Sequence, residues 1–317
     1  MALPASLENR LTLPLVAAPM FLVSGPELVI QCCKNGVMGS FPALNQRTSE
    51  GYEEWLNTIG DALGDEDAPY AVNLIVHRSN PRLQADLELT VRHKVPVVIT
   101  SLGAAQEVVE AVHSYGGLVF HDVTTIRFAE KALEAGVDGL IAVCAGAGGH
   151  AGTYNPFAFI AELRAMTDKT LLASGCISTG DAVLAALACG ADLAYAGTRF
   201  IAAQESLAND GYKAMVTQYS AADIVYTPKI SGAPANFLAP SLQAAGVDLA
   251  KVVTPEFDPG EELSGESKAW KDIWSAGQGI GAIHSVQPAA DIISQFKDEY
   301  RQAFERLSRF QQQHPLR

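Results

Sequence analysis

From residue 15 to residue 196 short apolar, β-branched runs alternate with longer stretches of helical periodicity. The runs that read as strands are Leu15–Ala18, Val37–Phe41, Tyr70–Leu74, Val97–Thr100, Leu118–His121, Gly139–Val143, Leu171–Ser174 and Leu193–Ala196. Between them the spacing predicts helices over Gly25–Asn35, Glu50–Leu63, Gln84–His93, Ala104–Tyr115, Ile126–Ala135, Pro156–Met166 and Thr179–Cys189. Gly36, Gly116, Gly136 and Gly190 stand where helix C-caps belong, each just before the next strand. Strands this continuously apolar, separated by helices, are expected to run parallel and to be buried on both faces.

Eight such units in about 200 residues is the count for a (β/α)8 TIM barrel, with an open doubly wound sheet as the competing arrangement. A further helix is expected over Ala289–Gln312. Between them, about Ser206–Gly265, the pattern turns irregular and rich in Pro, Gly and Ala. The expected division is therefore a barrel of residues 1–205 and 266–317, with 206–265 inserted as a cap on the substrate side. Neither an internal repeat nor a low-complexity tract stands out.

Composition narrows the classes. Of 317 residues, 48% are hydrophobic and 18% charged, a globular balance, and the formal net charge of −13 argues against nucleic acid and anionic membrane surfaces as partners. Cys32, Cys33, Cys144, Cys176 and Cys189 form no C-x-x-C and no metal-finger spacing, as expected of reduced thiols in a cytosolic protein. No basic-then-apolar leader follows Met1, and no run of about 18 apolar residues is uninterrupted. A soluble, cytoplasmic protein is expected, without a metal. Its oligomeric state, a homodimer among the options, is not written in the sequence.

The candidate chemistry sits at strand ends. Ala145-Gly-Ala-Gly-Gly-His-Ala-Gly152 follows the sixth strand: glycines let backbone approach a flat ligand, and His150 is suited to proton transfer near neutral pH. The seventh strand ends in Ser174-Gly-Cys-Ile-Ser-Thr-Gly180 and the eighth in Ala196-Gly-Thr-Arg199. Together they offer glycines, hydroxyls and free N–H groups where barrels bind phosphate. Gly146-x-Gly148-x-x-Ala151 fits a loose dinucleotide fingerprint, but no helix follows directly and no acid stands about 20 residues on at a strand end. That reading is rejected, and no P-loop occurs. The only carboxylates placed near one another at strand ends are Asp122 and Glu162, the latter within a helix. His77, His93, His113, His284 and His314 read as surface or structural, Trp274 as a packing anchor.

Ala17-Ala-Pro-Met20, Val72-Asn-Leu74, Ala147-Gly-Gly-His-Ala-Gly152, Ala173-Ser-Gly175, Gly197-Thr-Arg-Phe200 and Trp274-Ser-Ala-Gly-Gln-Gly279, in this order, resemble the nitronate monooxygenase family, formerly the 2-nitropropane dioxygenases. The resemblance implies a barrel that binds FMN non-covalently. Ala17, Ala18, Pro19 and Met20 would lie along the isoalloxazine, and the Asn73 amide would hydrogen-bond to it. Gly175, Cys176, Gly197 and Thr198 would cradle the phosphate. Gly149, Gly277 and Gln278 complete the implied cofactor set, and His150 would face the substrate as the catalytic residue. His121 and Asp122 are candidates for the substrate pocket. Two departures stand out: Gly146 occupies the place of a glutamate in similar enzymes, and Asp122 that of a lysine in quinone-reductase relatives.

The implied reaction is oxidation of alkyl nitronates, and in a second form nitroalkanes, by O2 to a carbonyl compound and nitrite. His150 would stabilise the anion if protonated or act as base if neutral. Flavin-dependent enoyl-thioester and quinone reductases share these motifs, so an NAD(P)H-dependent reductase remains open. So does a phosphate-ligand-binding barrel without redox turnover.

Overall fold

The computed structural model describes residues 3–103, 106–256 and 270–314. Eight parallel strands close into a barrel: β1 (Leu15–Ala17), β2 (Met38–Pro42), β3 (Ala71–Ile75), β4 (Val97–Ser101), β5 (Leu118–Val123), β6 (Gly139–Val143), β8 (Thr170–Ser174) and β9 (Leu193–Ala196). A two-residue strand, β7 (Gly149–His150), lies outside the barrel between β6 and β8. Closure is made by β9 against β1, with Leu15 opposite Ala194 and Ala17 opposite Ala196. The chain is a (β/α)8 barrel.

The helices are α1 (Ala5–Glu8), α2 (Pro26–Lys34), α3 (Ser49–Ala62), α4 (Leu83–Arg92), α5 (Gln106–His113), α6 (Ile126–Glu134), α7 (Pro156–Met166), α8 (Gly180–Ala188) and the short α9 (Thr198–Ile201). They begin and end as their sequences dictate. The Thr48, Thr125, Asn155 and Thr179 side chains accept backbone N–H bonds at the starts of α3, α6, α7 and α8. The glycines expected at C-caps hold φ of +75°, +86°, +87° and +109°.

Two apolar layers follow from the alternation of strand side chains. Inside the barrel Val16, Met38, Ala71, Val97, Ile99, Phe120, Ile141, Leu172 and Leu193 are buried, and Leu7 of α1 belongs to the same cluster. The interior is thus a packed core rather than a pore. The opposite strand faces pack against α2–α8 and against α12 (Ala289–Gln313), whose Ile292, Ile293 and Phe296 are buried there. α12 approaches α8 so closely that a Cβ at Gly180 would stand 2.2 Å from the Phe296 carbonyl oxygen and the Tyr300 nitrogen. The Glu299 carboxylate accepts the Gly180 N–H in that contact, at 2.8 Å.

Two expectations need amending. β5 runs on past His121 to Val123, because it pairs with β6 up to Val123–Ala142. The stretch 206–256 is also less irregular than its composition implies. It contains α10 (Asp210–Gln218), α11 (Ala239–Ala244) and two antiparallel strands, β10 (Ile224–Thr227) and β11 (Ala235–Leu238). β7 joins that hairpin as a third strand, His150 standing opposite Ala235. Met1, Ala2, residues 104–105 of the expected helix Ala104–Tyr115, 257–265 of the expected insertion, 266–269 of the expected barrel and 315–317 lie outside the described residues. Among those described, no helix is long and apolar enough to cross a membrane.

Candidate active site

Strand alternation carries the barrel interior upward one layer, from Ala71, Ile99, Phe120 and Leu193 to Asn73, Ser101, Asp122 and Tyr195. This upper layer is polar. The Asn73 amide nitrogen donates to the Ile99 carbonyl at 3.2 Å and to Ser101 Oγ at 2.9 Å. A carbonyl can only accept, so the amide orientation is fixed and Asn73 Oδ1 is the atom left for a ligand. Ser101 Oγ lies 2.5 Å from Asp122 Oδ2, and Asp122 Oδ1 is enclosed with no partner. Burial pushes the Asp122 carboxyl up to about 6 against the lowering effect of the Ser101 hydroxyl. Burial, and secondarily the Asp122 charge, also holds the Tyr195 phenol well above its usual value.

Over this layer opens a cavity of ≈ 770 Å³ at the carboxyl ends of the strands. One wall is the strip Ala18-Pro19-Met20. Asn45 holds it in place, donating to the Met20 and Ser24 carbonyls while accepting the Leu22 N–H. At another side the chain turns through Gly175 (φ +125°) and Cys176 (φ +61°) into α8. The amides of Cys176, Ile177 and Ser178 donate to no backbone carbonyl among the described residues, which leaves a run of N–H groups suited to an anion. Burial raises the Cys176 thiol, so it adds no negative charge there. Thr198 Oγ1 accepts the Gly277 N–H at 2.9 Å, which keeps the Thr198 hydroxyl hydrogen available.

His150 enters from β7, half-buried, its ring edge-on to Trp270 with centroids 5.4 Å apart. The loop that carries it is fastened by residues distant in sequence. The Gly149 N–H donates to Ser275 Oγ at 2.5 Å, Ser275 donates to the Asn236 carbonyl, and the Asn236 amide donates to the Ala147 carbonyl at 2.7 Å. Gly146 has φ +80°, and a Cβ there would meet Cys176 Sγ at 2.5 Å and Gln278 Oε1 at 2.9 Å. A glutamate here would hold a strained positive φ and push both side-chain ends aside, which glycine avoids.

The cavity brings together Ala18, Pro19, Met20, Asn73, His121, Asp122, Gly149, His150, Gly175, Cys176, Gly197, Thr198 and Gly277. It does not include Ala17, which belongs to the outer core and whose carbonyl accepts the Ser40 hydroxyl. Gln278 is also absent from the wall, although its N–H binds the Gly146 carbonyl at 2.8 Å. His121 is on the outer side of β5, its Nδ1 2.7 Å from Thr100 Oγ1, and burial lowers it to about 4. The cavity continues past it to Thr124, Phe128, Lys131 and Ala135. Glu162 is exposed on α7, away from Asp122. His77, read from sequence as surface or structural, lies on the cavity wall. Trp274 stacks on Tyr212 at 5.1 Å instead of facing the cavity. Ser101, Tyr195, Trp270 and Ser275 line it without having been expected there. Ser275 lies within the Trp274–Gly279 motif, whereas no local motif marks Ser101, Tyr195 or Trp270. Among the described residues, no group of three His, Cys, Asp or Glu side chains could hold a metal ion.

Comparison with known proteins places these features. The family model described as Nitronate monooxygenase matches residues 7–299. A nitronate monooxygenase of Paraburkholderia phytofirmans is 27% identical, over 94% of both chains. A Rhodococcus jostii protein named as a hydroxy-methyl-oxo-octahydro-indene-carboxyl-CoA dehydrogenase is also 27% identical, over 70% of this chain and 61% of its own. Two solved structures share the fold at a TM-score of 0.82: FabK from Thermotoga maritima, at 22% identity with 96% of this chain and 97% of that one covered, and nitroalkane oxidase from Streptomyces ansochromogenes, at 24% identity with 96% and 100% covered.

Proposed function

The chain belongs to the nitronate monooxygenase family and is an oxidoreductase, and on that premise we propose that it uses FMN and O2 to convert alkyl nitronates to a carbonyl compound and nitrite. The observation that carries the reading is the convergence, in one cavity, of a flat strip, a run of open amides and a histidine. The residues fit the cofactor. Ala18, Pro19 and Met20 offer a surface for a flat ring, and Asn73 Oδ1 an acceptor for a ring N–H. The Cys176–Ser178 amides and the Thr198 hydroxyl match a phosphate in number and charge. When bound, FMN supplies the electron acceptor, and O2 is the final oxidant.

The chain's own residues would do the rest. His150 directs a ring N–H at the anionic nitro group of the nitronate, or in its neutral form takes the proton from a nitroalkane carbon. Trp270 holds the imidazole edge-on and narrows the space through which water reaches it. The Ser275 tie fixes the backbone from which the imidazole projects. The test is a visible spectrum of the purified protein, followed by addition of a nitronate in air. Flavin absorbance, O2 consumption and nitrite release together support the proposal, whereas a colourless protein that takes up no FMN would overturn it.

One observation favours a second reading. The cavity runs on past His121 to Phe128 and Ala135, more room than a short nitronate requires. That extension suits the acyl arm of a thioester, and with it NAD(P)H-dependent reduction. Anaerobic bleaching by NADH or NADPH without any response to nitronate would select this reading.

A further inference from the structure

Asp122 is chemically out of place in a cavity suited to anions. Among the described residues Ser101 is its only hydrogen-bond partner, its Oδ1 is enclosed without a donor, and no cation lowers its carboxyl. Tyr195, across the barrel on β9, is a titratable group that feels its charge. The others that share the cavity are His77, His121, Lys131, His150, Cys176 and Tyr212.

The hydroxyl between Asp122 and Asn73 has a fixed inventory of bonds. Ser101 Oγ always accepts from the Asn73 amide, whose orientation the Ile99 carbonyl sets. While Asp122 is ionised, the Ser101 hydrogen has a strong acceptor in Oδ2. Once Asp122 carries a proton there, the acid donates to Ser101 Oγ instead. Both lone pairs of that oxygen are then filled, and its own hydrogen must seek another acceptor. Ser101 lines the cavity.

We propose that Asp122 and Ser101 form a proton-gated donor, in which proton uptake by Asp122 reverses their hydrogen bond and turns the Ser101 hydroxyl into the cavity toward an anionic ligand. One proton passes from solvent to Asp122 Oδ2, and no electron moves. The site loses a negative charge and gains a donor in the same event. Burial already holds the carboxyl up at about 6, and a seated anion raises it further. Asp122 is a positioning residue that acts through Ser101. The proposal rests on the FMN reading only in choosing the spectroscopic reporter.

The experiment titrates FMN-loaded protein with nitrite, following flavin absorbance between about pH 5 and about pH 8. Wild-type affinity is expected to weaken with rising pH, approaching about tenfold per unit above the carboxyl's own range. Asp122→Asn should flatten that slope. Ser101→Ala should keep the slope and weaken binding at every pH, since the charge still cancels but the donor is gone. An Asp122→Asn protein with the full wild-type slope overturns the proposal and assigns the proton to another group, His150 first. Infrared difference spectra of wild type give a reading that needs no variant. A protonated-carboxyl band must grow when nitrite binds near neutral pH, and its absence overturns the proposal even where Asp122→Asn fails to fold. Protein that elutes without flavin fails the FMN reading itself, a different result from a flavin-bound protein with an unchanged slope.

Discussion

The Gly149 N–H and the Ser275 hydroxyl oxygen meet at 2.5 Å although 126 positions separate them in the chain. Ser275 is buried and passes its own hydrogen to the Asn236 carbonyl, so one side chain joins the histidine loop to β11. Ser275→Ala would leave a half-buried N–H and a buried carbonyl without partners, a loss of up to about 1–3 kcal/mol each where no water enters. We expect a lower Tm and reduced kcat/KM, with FMN retained. Loss of flavin at unchanged Tm would argue that Ser275 serves the cofactor instead.

His150→Ala should keep FMN bound while kcat/KM for nitronate falls by about 10²–10⁴-fold, the range for removal of a positioned acid–base group. Flavin content per mole of folded protein separates this outcome from a cofactor-site role. A variant that folds yet elutes without flavin contradicts it.

Replacing Gly146 should be harmful whatever the side chain. A non-glycine residue at φ +80° costs about 1–2 kcal/mol, and its Cβ must displace Cys176 Sγ and Gln278. Gly146→Glu, although it restores the residue of similar sequences, is expected to lower Tm and weaken FMN retention. Thermal melting with equilibrium dialysis against FMN checks both.

Thr198→Val removes the acceptor for the Gly277 N–H and a hydroxyl donor from the anion end of the cavity. Hydrogen bonds to charged groups contribute about 1.5–3 kcal/mol, so FMN affinity should fall about 10–100-fold with the fold intact. Riboflavin, which lacks the phosphate, should lose far less, and equal losses for the two ligands would refute the assignment.

His121 and Asp122 are adjacent, and their stability contributions slope in opposite directions with pH. Burial lowers His121 to about 4, so below the unfolded value of about 6.5 the unfolded chain takes up protons first and stability drains away as pH falls toward 4. Burial raises Asp122 to about 6, so its contribution is full below the unfolded value of about 3.9 and is lost as pH climbs through 6. At about 1.4 kcal/mol per pKa unit, the ceiling is about 3.5 kcal/mol for His121 and about 3 kcal/mol for Asp122. Between about pH 4 and about pH 6, His121→Asn should lose less stability on acidification than wild type, and Asp122→Asn more. Denaturant unfolding across that range measures both slopes.

Much of the molecule was legible in its sequence because the signals are local. Apolar runs between capped helices gave every barrel strand, and Gly139–Val143 and Leu193–Ala196 agree residue for residue. The strand-end motifs likewise lead to the cavity, since a barrel sends every such end to one face. What escaped depends on distant partners. β7 is two residues long and exists only because β11 lies beside it. Asn73 was expected to offer its amide without distinction, but the Ile99 carbonyl decides which end is free. Ala17 and Ala18 look alike in sequence, and strand alternation alone sends one outward and the other into the cavity. His77 carries no motif at all.

The pairing of β7 with β11 also has a consequence in time. Synthesis reaches the end of the last barrel strand at residue 196. His150 is by then in place along the chain, but its backbone partner Ala235 and the clamp at Ser275 are still to come. The histidine loop is therefore fastened only after the barrel strands are made, and a chain interrupted before Ser275 would lack both that clamp and the buried face of α12 that covers α8.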